Sequence, residues 1–307
     1  MKSRTVLLLV AVVLALGASP SPAVAMERPA LEWQSNWKRF STTESIVTSA
    51  LALQAASALL LYPTPRANWH GGILFDDGAR DALRLSDRRA RDKAARWSDH
   101  LYHALLAYPL LVDTAVVTWG VRDSNDVATE MLAMNLEAYA FTGAIAVTAE
   151  KLGRVRPAAR GCQDDPSYSE KCGSAADLNS SFLSGHTTLA FASAGLMCAH
   201  HQNLELYGGG VADVLACLGA LSAASAAGVL RVMSDNHYAS DVLLGMGVGL
   251  IGGYGLPTLL HYRHGKSADD TGLLPVVRPR FAGTEIVGVL APQLAAGYAG
   301  ITFVGAF

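Results

Sequence analysis

Three groups of polar residues, far apart along the chain, carry side chains that can hold and attack a tetrahedral anion. Arginine grips phosphate through paired N–H donors, and the free amides at the start of a helix attract negative charge. A histidine can serve as a nucleophile, an acid or a base. Such a set supports phosphoryl transfer without a metal. The three groups are 153–157 (GRVRP), 180–186 (SSFLSGH) and 231–241 (RVMSDNHYASD).

Each group also has a purely structural interpretation. The two arginines of the first group end a predicted helix, where they would satisfy its last carbonyl oxygens. Ser184 is placed to cap the helix that begins at Gly185, whose amide would then point at a bound anion. His237 and Asp241 lie four residues apart, so on a helix they form either a structural ion pair or a nucleophile braced by a carboxylate.

The order and spacing of the three groups resemble the type 2 phosphatidic acid phosphatase superfamily, over about residues 44–262. That superfamily includes bacterial non-specific acid phosphatases, lipid phosphate phosphatases and vanadium-dependent haloperoxidases. Five residues separate Arg231 from His237, and three separate His237 from Asp241. The other matching residues are Arg156-Pro157 and Ser184-Gly185-His186.

The resemblance implies a role for each matching residue. His237 would be the nucleophile that forms a phosphohistidine, with Asp241 orienting it. His186 would protonate the leaving oxygen and then activate the hydrolytic water. No metal or other cofactor is implied, except vanadate if the protein is a haloperoxidase. The groups that would hold the phosphoryl oxygens are the side chains of Arg156, Ser184 and Arg231 and the amide of Gly185.

Two positions depart from the family pattern. The family places a lysine seven residues before the motif arginine, and that position is Ala149 here. Either Lys151 or Arg154 reaches the phosphate from a shifted position, or one cationic contact is missing. Leu183 also replaces the family's proline before the Ser-Gly-His motif, which loosens the loop without removing a chemical group.

The composition limits the classes of protein to which the chain can belong. Of its 307 residues, 51% are hydrophobic and 16% are charged, which excludes a disordered polar chain. The formal net charge of −2 offers no basic field, so a nucleic-acid binder is excluded as well. The expected partner is a phosphate-ester substrate, and the oligomeric state stays open.

The first 25 residues have the pattern of a secretory signal peptide. A basic start with Lys2 and Arg4 precedes an apolar run and the small residues Ala23-Val24-Ala25. We therefore predict an exported protein, periplasmic or membrane-associated, with its active site on the non-cytoplasmic side.

Export makes disulfide bonds available to the four cysteines. Cys162 and Cys172 bracket a polar loop and are predicted to be bridged. Cys198 and Cys217 lie in apolar helical runs and are predicted as buried thiols, with a second bridge only if their helices are neighbours.

Six apolar runs have the length of helices and predict an all-α bundle. We expect one helical domain over 26–265 and a β-prone tail over 266–307, in which a short hairpin packs on the bundle. The charged stretch 75–96 is interpreted as a solvated amphipathic segment whose opposite charges pair at helical spacing. The apolar runs cover about residues 44–62, 99–119, 127–152, 186–201, 211–232 and 238–262.

The sequence supports two locations for this bundle. Six apolar runs match the integral-membrane lipid phosphatases, whereas Asp113, Asn135 and Glu137 are costly in lipid unless they are buried. Three crossings after an exported N-terminus would also place the loop between Cys162 and Cys172 in the cytoplasm, where a disulfide is not expected. Either the first segment is an uncleaved anchor helix and not a signal peptide, or one of the runs does not span, or the bundle is soluble in the periplasm. Of these three, we favour the soluble periplasmic bundle.

The leading functional hypothesis is a metal-independent phosphatase that hydrolyses phosphate monoesters, either small esters or lipid phosphates. The alternatives are a vanadium-dependent haloperoxidase and a non-catalytic anion-binding protein of the cell envelope. The sequence does not identify the substrate, because specificity depends on the walls of the pocket and their composition names no head group.

Overall fold

The computed structural model describes residues 29–61 and 66–262, together with the backbone of short segments between 276 and 306. The predicted signal peptide over 1–25 lies outside the described residues. The all-α prediction is confirmed for the body of the protein, which is built from helices. The predicted domain boundaries stay a prediction.

Long helices form a bundle, and shorter helices lie in the loops at one end of it. The long helices are α1 (Thr42–Leu60), α3 (Arg88–Ala107), α4 (Asn125–Glu150), α7 (Gly185–Leu204), α8 (Val211–Met233) and α9 (Ala239–Leu250). The shorter ones are α2 (Asp76–Leu83), α5 (Ala159–Asp164), a 3₁₀ turn (Glu170–Gly173) and α6 (Ala175–Leu178). Wider π-helical turns continue α3 through Tyr108–Val121 and α9 through Ile251–Gly255 and Pro257–Tyr262.

Capping residues mark the starts of two long helices. The Ser41 hydroxyl accepts a hydrogen bond from the Glu44 amide, and the Ser41 amide donates to the Glu44 carboxylate (2.7 Å), which forms a capping box before α1. The Asp87 carboxylate likewise accepts from the Ala90 amide (2.9 Å). Because of this cap, α3 begins at Arg88 and not at the apolar run near residue 99.

The charged segment 75–96 is only partly solvated, so the sequence interpretation is wrong for several of its residues. Arg88 and Asp92 do form the expected surface pair, with 3.7 Å between Nε and Oδ2. Asp76 and Arg91, in contrast, are buried. Asp76 accepts from Arg154 and Ser240, which are distant along the chain, and Arg91 donates to backbone carbonyls, of which that of Tyr168 is distant. Periodicity within the segment cannot reveal such partners.

α7 is the central helix, and most of its side chains are buried although few of them are large. α9 packs on it through Gly245, Gly249 and Gly253, spaced four apart. A Cβ atom at Gly253 would lie 1.9 Å from the Ala192 carbonyl oxygen, and one at Gly249 would lie 2.4 Å from the carbonyl oxygen of Thr188. Only glycine permits this approach, which holds the start of α9 against the start of α7.

The long helices alternate in direction, so the bundle has two distinct ends. At the first, α8 ends beside the loop before α3, where the Leu85 amide donates to the Met233 carbonyl (3.0 Å). We call it the polar end, because the three polar groups lie there. At the opposite end, the Lys38 amide before α1 donates to the His261 carbonyl (3.2 Å).

Two apolar cores hold the helices together. One lies between α3, α7 and α8 and includes Leu105, Phe191 and Ala224. The other lies toward the opposite end, where Trp37 and Tyr262 pack against the methionines of α4. These cores fix the helix positions and hence the geometry of the polar end.

Both cysteine pairs are bridged. Cys162 and Cys172 form the predicted disulfide, with their Cα atoms 5.4 Å apart. Cys198 and Cys217 are also bridged, so the prediction of buried thiols is wrong. The reason is that α7 and α8 are neighbours, which was the stated condition for a second bridge.

The outward faces of the long helices are strongly apolar. Leu53 and Leu60 on α1 are 71% and 81% exposed, and Trp119 on the continuation of α3 is 60% exposed. Among the described residues, five segments are long and apolar enough to cross a membrane. These features and the disulfides are compatible with a membrane-associated exported protein. The five segments are Thr42–Leu60, Arg88–Val121, Asn125–Glu150, Val211–Met233 and Ala239–Tyr262.

The C-terminal segment contains short extended stretches. The last two of them pair antiparallel, with Val289 opposite Val304, and the first pairs antiparallel with the fourth. The stretches are β1 (Val276–Val277), β2 (Arg280–Phe281), β3 (Thr284–Glu285), β4 (Val287–Ala295) and β5 (Tyr298–Ala306). The packing of this tail on the bundle stays a prediction.

Candidate active site

The three polar groups meet at the polar end, where the loops after α4, α6 and α8 converge. A turn at Gly153 ends α4, because the φ of Gly153 is +73°, in the left-handed region. Only glycine fits here, since a Cβ atom would lie 1.9 Å from the carbonyl oxygen of Arg66, in the loop between α1 and α2. The following segment pairs with the backbone of Trp69. Arg154 and Arg156 both enter the polar end from this segment, but they go to different partners.

The Arg156 guanidinium is buried and bonded to four neutral acceptors. Nε donates to the Asp177 carbonyl (2.5 Å), and Nη2 donates to Ser180 Oγ (3.2 Å). Nη1 donates to the Asn236 carbonyl (2.7 Å) and to His237 Nε2 (2.9 Å). Burial lowers the pKa of Arg156 to about 10. A buried cation without a directly bonded carboxylate favours the arrival of an anion.

The two ring nitrogens of His237 have different surroundings. Nδ1 lies 2.7 Å from the Ser181 carbonyl oxygen, to which it donates, so Nε2 carries the lone pair that faces Arg156. Burial lowers the pKa of His237 well below its usual value, and the charges of Arg156 and Arg231 lower it further. His237 is therefore neutral, and Nε2 is the nitrogen that can attack.

Asp241 holds His237 indirectly, which corrects the predicted direct pairing. Its Oδ2 lies 3.9 Å from His237 Nδ1, too far for a hydrogen bond. Asp241 accepts instead from Ser181 Oγ (2.7 Å) and from the Tyr238 amide (3.0 Å). It therefore fixes Ser181, whose carbonyl orients the histidine.

His186, in the first turn of α7, and Arg231, near the end of α8, are joined by Asp99 of α3. Asp99 Oδ1 accepts from Arg231 Nη2 and lies 3.1 Å from His186 Nε2. The Arg231 side chain is buried, and its Nε has no acceptor among the described residues. Burial lowers the pKa of His186, although the Asp99 carboxylate opposes this.

Ser184 and Gly185 occupy the start of α7, but only partly as predicted. Ser184 is the N-cap residue by position, yet its hydroxyl forms no capping bond and lies 2.9 Å from Thr187 Oγ1. Gly185 is the first helical residue, so its amide is one of those that have no acceptor within the helix. The start of α7 thus offers backbone donors, whereas the hydroxyl of Ser184 is bonded within the first turn.

Arg154 belongs to a separate buried ion network, so it is not the shifted phosphate contact that the sequence left open. Its Nη2 donates to Asp76 Oδ2 (2.7 Å), and its Nη1 donates to Asp241 and to Ser240 Oγ (2.8 Å). The guanidinium also lies over the Trp69 ring, 4.2 Å from its centroid. These contacts leave Arg154 fully buried. None of its hydrogen-bond partners in the described part of the chain is one of the four residues that line what we call the pocket, which are Arg156, His186, Arg231 and His237.

The structural interpretation of the two arginines is also wrong. Every acceptor of Arg154 and Arg156 in the described part of the chain lies outside α4. Neither side chain satisfies the last carbonyls of that helix. The turn at Gly153 carries both arginines past the helix end and into the loops.

Two lysines remain as sources of the additional cation. Lys151 is the C-cap residue of α4 and lies near the Glu150 carboxylate. Lys171 lies on the 3₁₀ turn beside Cys172, and its side chain is partly buried. Burial lowers the pKa of Lys171, and so does the positive charge of Arg156. The Lys171 ammonium is thus close to the pocket charges.

Sequence reasoning missed three groups that shape the site. Asp99 is the first residue of an apolar run, and a carboxylate in that position is the only signal that could have drawn attention to it. Asp76 lies in a segment where many charges alternate. Ser181 acts through its backbone carbonyl as well as its hydroxyl, and a carbonyl leaves no mark in a sequence.

No cluster of three or more His, Cys, Asp or Glu side chains within 29–61 and 66–262 is arranged to hold a metal ion. That the protein needs no metal stays a prediction. The positive groups of the pocket instead have the chemistry to bind an oxyanion.

A known family matches the part of the chain that carries these site residues. Residues 129–264 match the family model described as the PAP2 superfamily, and this match supports membership of that superfamily. Its members are generally phosphatases. No curated protein matches the chain. The matched segment carries all three polar groups, whereas Asp76 and Asp99 precede it.

Proposed function

We propose that the protein is a metal-independent phosphatase that hydrolyses phosphate monoesters through a phosphohistidine on His237. The observation that carries the proposal is the hydrogen bond of 2.9 Å between Arg156 Nη1 and His237 Nε2. Through this bond the buried guanidinium of Arg156, whose other partners are also neutral, donates to the lone pair of the neutral His237 ring. A phosphoryl group bound by Arg156 would therefore lie against the nitrogen that attacks it.

In the first step, the Nε2 lone pair of His237 forms a bond to phosphorus while the bond from phosphorus to the leaving oxygen breaks. Protonated His186 gives its proton to that oxygen, and the alcohol departs. Arg156 and Arg231 stabilise the charge on the phosphoryl oxygens. The Ser181 carbonyl keeps the Nδ1 proton of His237 and stabilises the positive charge that the ring acquires.

The second step regenerates the enzyme. Neutral His186 takes a proton from water, whose oxygen attacks the phosphorus of the phosphohistidine. The P–N bond breaks, its electron pair returns to Nε2 of His237, and phosphate leaves. His186 is then protonated again and ready for the next ester.

We propose that Lys171 supplies the cationic contact that the position of Ala149 lacks. Lys171 directly precedes the bridged Cys172 on the 3₁₀ turn, which contacts α6, whose Asp177 carbonyl accepts from Arg156. Among the described residues no carboxylate pairs directly with its ammonium, and Asp177 and Asp99 interact with it only at longer range, which leaves it available to a bound anion. The disulfide supports this role because it restrains the loop that carries the lysine.

We also propose that the bundle is embedded in a membrane, with the pocket at the polar end accessible to phosphate esters at the membrane surface. The exposed apolar faces of α1, α3, α8 and α9 support this location over a soluble bundle. The two disulfides support a pocket on the non-cytoplasmic side. With three candidate spans before the pocket, this orientation requires that the apolar run within the first 25 residues stays in the membrane as an uncleaved anchor and adds a crossing. Lipid phosphates and small esters are both substrates that such a site could reach.

The test uses the full chain, extracted with detergent from carbonate-washed membranes. We expect phosphate release from p-nitrophenyl phosphate that persists in a metal chelator and is inhibited by vanadate. His237→Ala removes this activity because the attacking nitrogen is lost, and the matched variant His70→Ala, at an exposed loop histidine, retains it. A panel of soluble esters and lipid phosphates then ranks the substrates.

Full activity in His237→Ala would overturn the proposed mechanism. Bromination of a dye with vanadate and peroxide, without phosphate release, would identify a haloperoxidase instead. Phosphate binding without turnover of any ester would favour a non-catalytic protein. Activity found only in the soluble fraction would overturn the proposed location.

A further inference from the structure

We infer that Asp99 is a positioning residue that favours the protonated form of His186, the form that transfers a proton to the leaving oxygen. The inference rests on the proposed function and adds a residue from α3, which precedes the segment that matches the family. Its basis is a bridge: Asp99 Oδ1 lies 3.1 Å from His186 Nε2 and accepts from Arg231 Nη2.

The bridge lies at the open side of the pocket. The side chains of Asp99 and His186 are 40% and 36% exposed, whereas that of His237 is 4% exposed. An in-line displacement needs the nucleophile and the leaving oxygen on opposite sides of phosphorus. With His237 at the buried side, the leaving oxygen lies toward the open side, where Asp99 holds His186.

The charges around His186 explain why it needs a carboxylate. Burial favours the neutral ring, and the positive charges of Arg231 and Arg156 favour it too. The pKa of His186 is lowered by these effects, although Asp99 raises it in part. Without Asp99, the ring would lose its proton at a lower pH and would no longer serve as an acid. The Tyr102 ring centroid lies 4.6 Å from that of His186, and His237 is close enough to interact with it electrostatically. Two further charged groups lie close by, Lys171 near Asp99 and Arg231 and Glu150 near Gly185.

The variant Asp99→Asn separates proton transfer from a general loss of structure. An alkyl phosphate has a poor leaving group that needs the acid, whereas p-nitrophenolate leaves without a proton. We expect kcat to fall by roughly 100-fold for the alkyl phosphate and by less than about tenfold for p-nitrophenyl phosphate. The basic limb of the pH profile for the alkyl phosphate moves to lower pH, because the pKa of His186 falls.

Two controls make the result specific. Asp92→Asn removes a carboxylate from the same helix, where its one ion-pair partner among the described residues is the surface residue Arg88, and both substrates keep their rates. Asp99→Glu keeps the charge and restores part of the rate for the alkyl phosphate. If Asp99→Asn does not fold, Asp99→Ser replaces it, since a small polar side chain suits a partly exposed position.

The pKa of His186 is also measured directly, by NMR titration of ring-labelled histidine in the purified full chain. A lower pKa in Asp99→Asn together with the substrate-dependent loss supports the inference. Equal losses on both substrates, or an unchanged pKa of His186, would overturn it while the proposed function stands. If the wild-type chain hydrolyses no ester, the proposed function fails. The role of Asp99 in proton transfer then fails as well, even if the pKa of His186 is lower in Asp99→Asn.

Discussion

Arg154 and Arg156 are two residues apart, yet they belong to two regions with opposite charge balance. In the ion network, Arg154 bonds to the carboxylates of Asp76 and Asp241. In the pocket, Arg156 bonds only to neutral acceptors in the described part of the chain. Buried charge alone therefore does not mark a functional site in this protein. The functional site is distinguished by a buried cation, Arg156, whose hydrogen-bond partners are neutral and do not compensate its charge.

The two regions are connected, because the network holds the pocket in place. Asp241 bonds to Arg154 on one side and to Ser181 on the other, and the Ser181 carbonyl orients His237. Asp76 joins the same network from α2, where the amides of Ile73 and Ser240 donate to it. These bonds hold the pKa of Asp76 below its usual value although burial acts in the opposite direction.

The largest effect is expected on stability, from Arg154→Ala. Loss of this guanidinium leaves Asp76 and Asp241 buried without their cation, which costs about 3–5 kcal/mol in the free energy of unfolding. Thermal unfolding in detergent measures the loss. The control Arg160→Ala breaks a surface pair with Asp77 and changes stability by less than about 1 kcal/mol.

A double variant sharpens this result. Asp76→Asn in the Arg154→Ala background removes one of the two uncompensated charges and restores part of the lost stability. A stable Arg154→Ala protein that no longer binds phosphate would contradict the separation of the two regions, since it would place Arg154 in the pocket.

The next effect is expected on activity, from Arg156→Ala. The protein folds, because the partners left behind are neutral, but kcat falls by roughly 10²–10³-fold as charge on the phosphoryl group loses its partner. Arg156→Lys restores part of the rate, since it returns the charge without the paired donors. If Arg156→Ala lost as much stability as Arg154→Ala and its folded fraction turned over normally, Arg156 would be a structural residue, which would contradict its place in the pocket.

The smallest effect is expected from Lys171→Met. One charged contact contributes about 1.5–3 kcal/mol, so kcat/KM falls by roughly 10-fold to 100-fold while stability changes little. Lys151→Met is the matched control, and it keeps kcat/KM within about twofold because Lys151 is the C-cap residue of α4, where the Glu150 carboxylate offsets its charge. The reverse ranking of the two lysines would assign the additional cation to Lys151.

Residue types and spacing were enough to predict an all-α protein and to propose Arg156, His186, Arg231 and His237 as site residues, because motifs of that kind are local in the sequence; the roles of these residues stay a prediction. The partners of these residues were not predictable in the same way. The bond from Ser181 to His237 uses a backbone carbonyl, and Asp99 reaches the pocket from a helix whose register is set by packing.

The errors in the sequence predictions have a common physical cause. Cys198 and Cys217 were predicted as thiols, and the segment 75–96 was predicted as solvated, because neighbours across the bundle are not visible along the chain. The bridge depends on contact between α7 and α8, and the burial of Asp76 depends on Arg154. Both follow from the close packing of helices, which glycines such as Gly253 permit.

The most direct test of the account is to trap the phosphoryl-enzyme. The full chain is mixed with a ³²P-labelled ester, quenched in alkali, where phosphohistidine survives, and digested so that mass spectrometry locates the label. The account predicts a phosphoryl group on His237 in the wild-type protein and none in His237→Ala. Steady turnover with no trapped label, or a label on another residue, would contradict it.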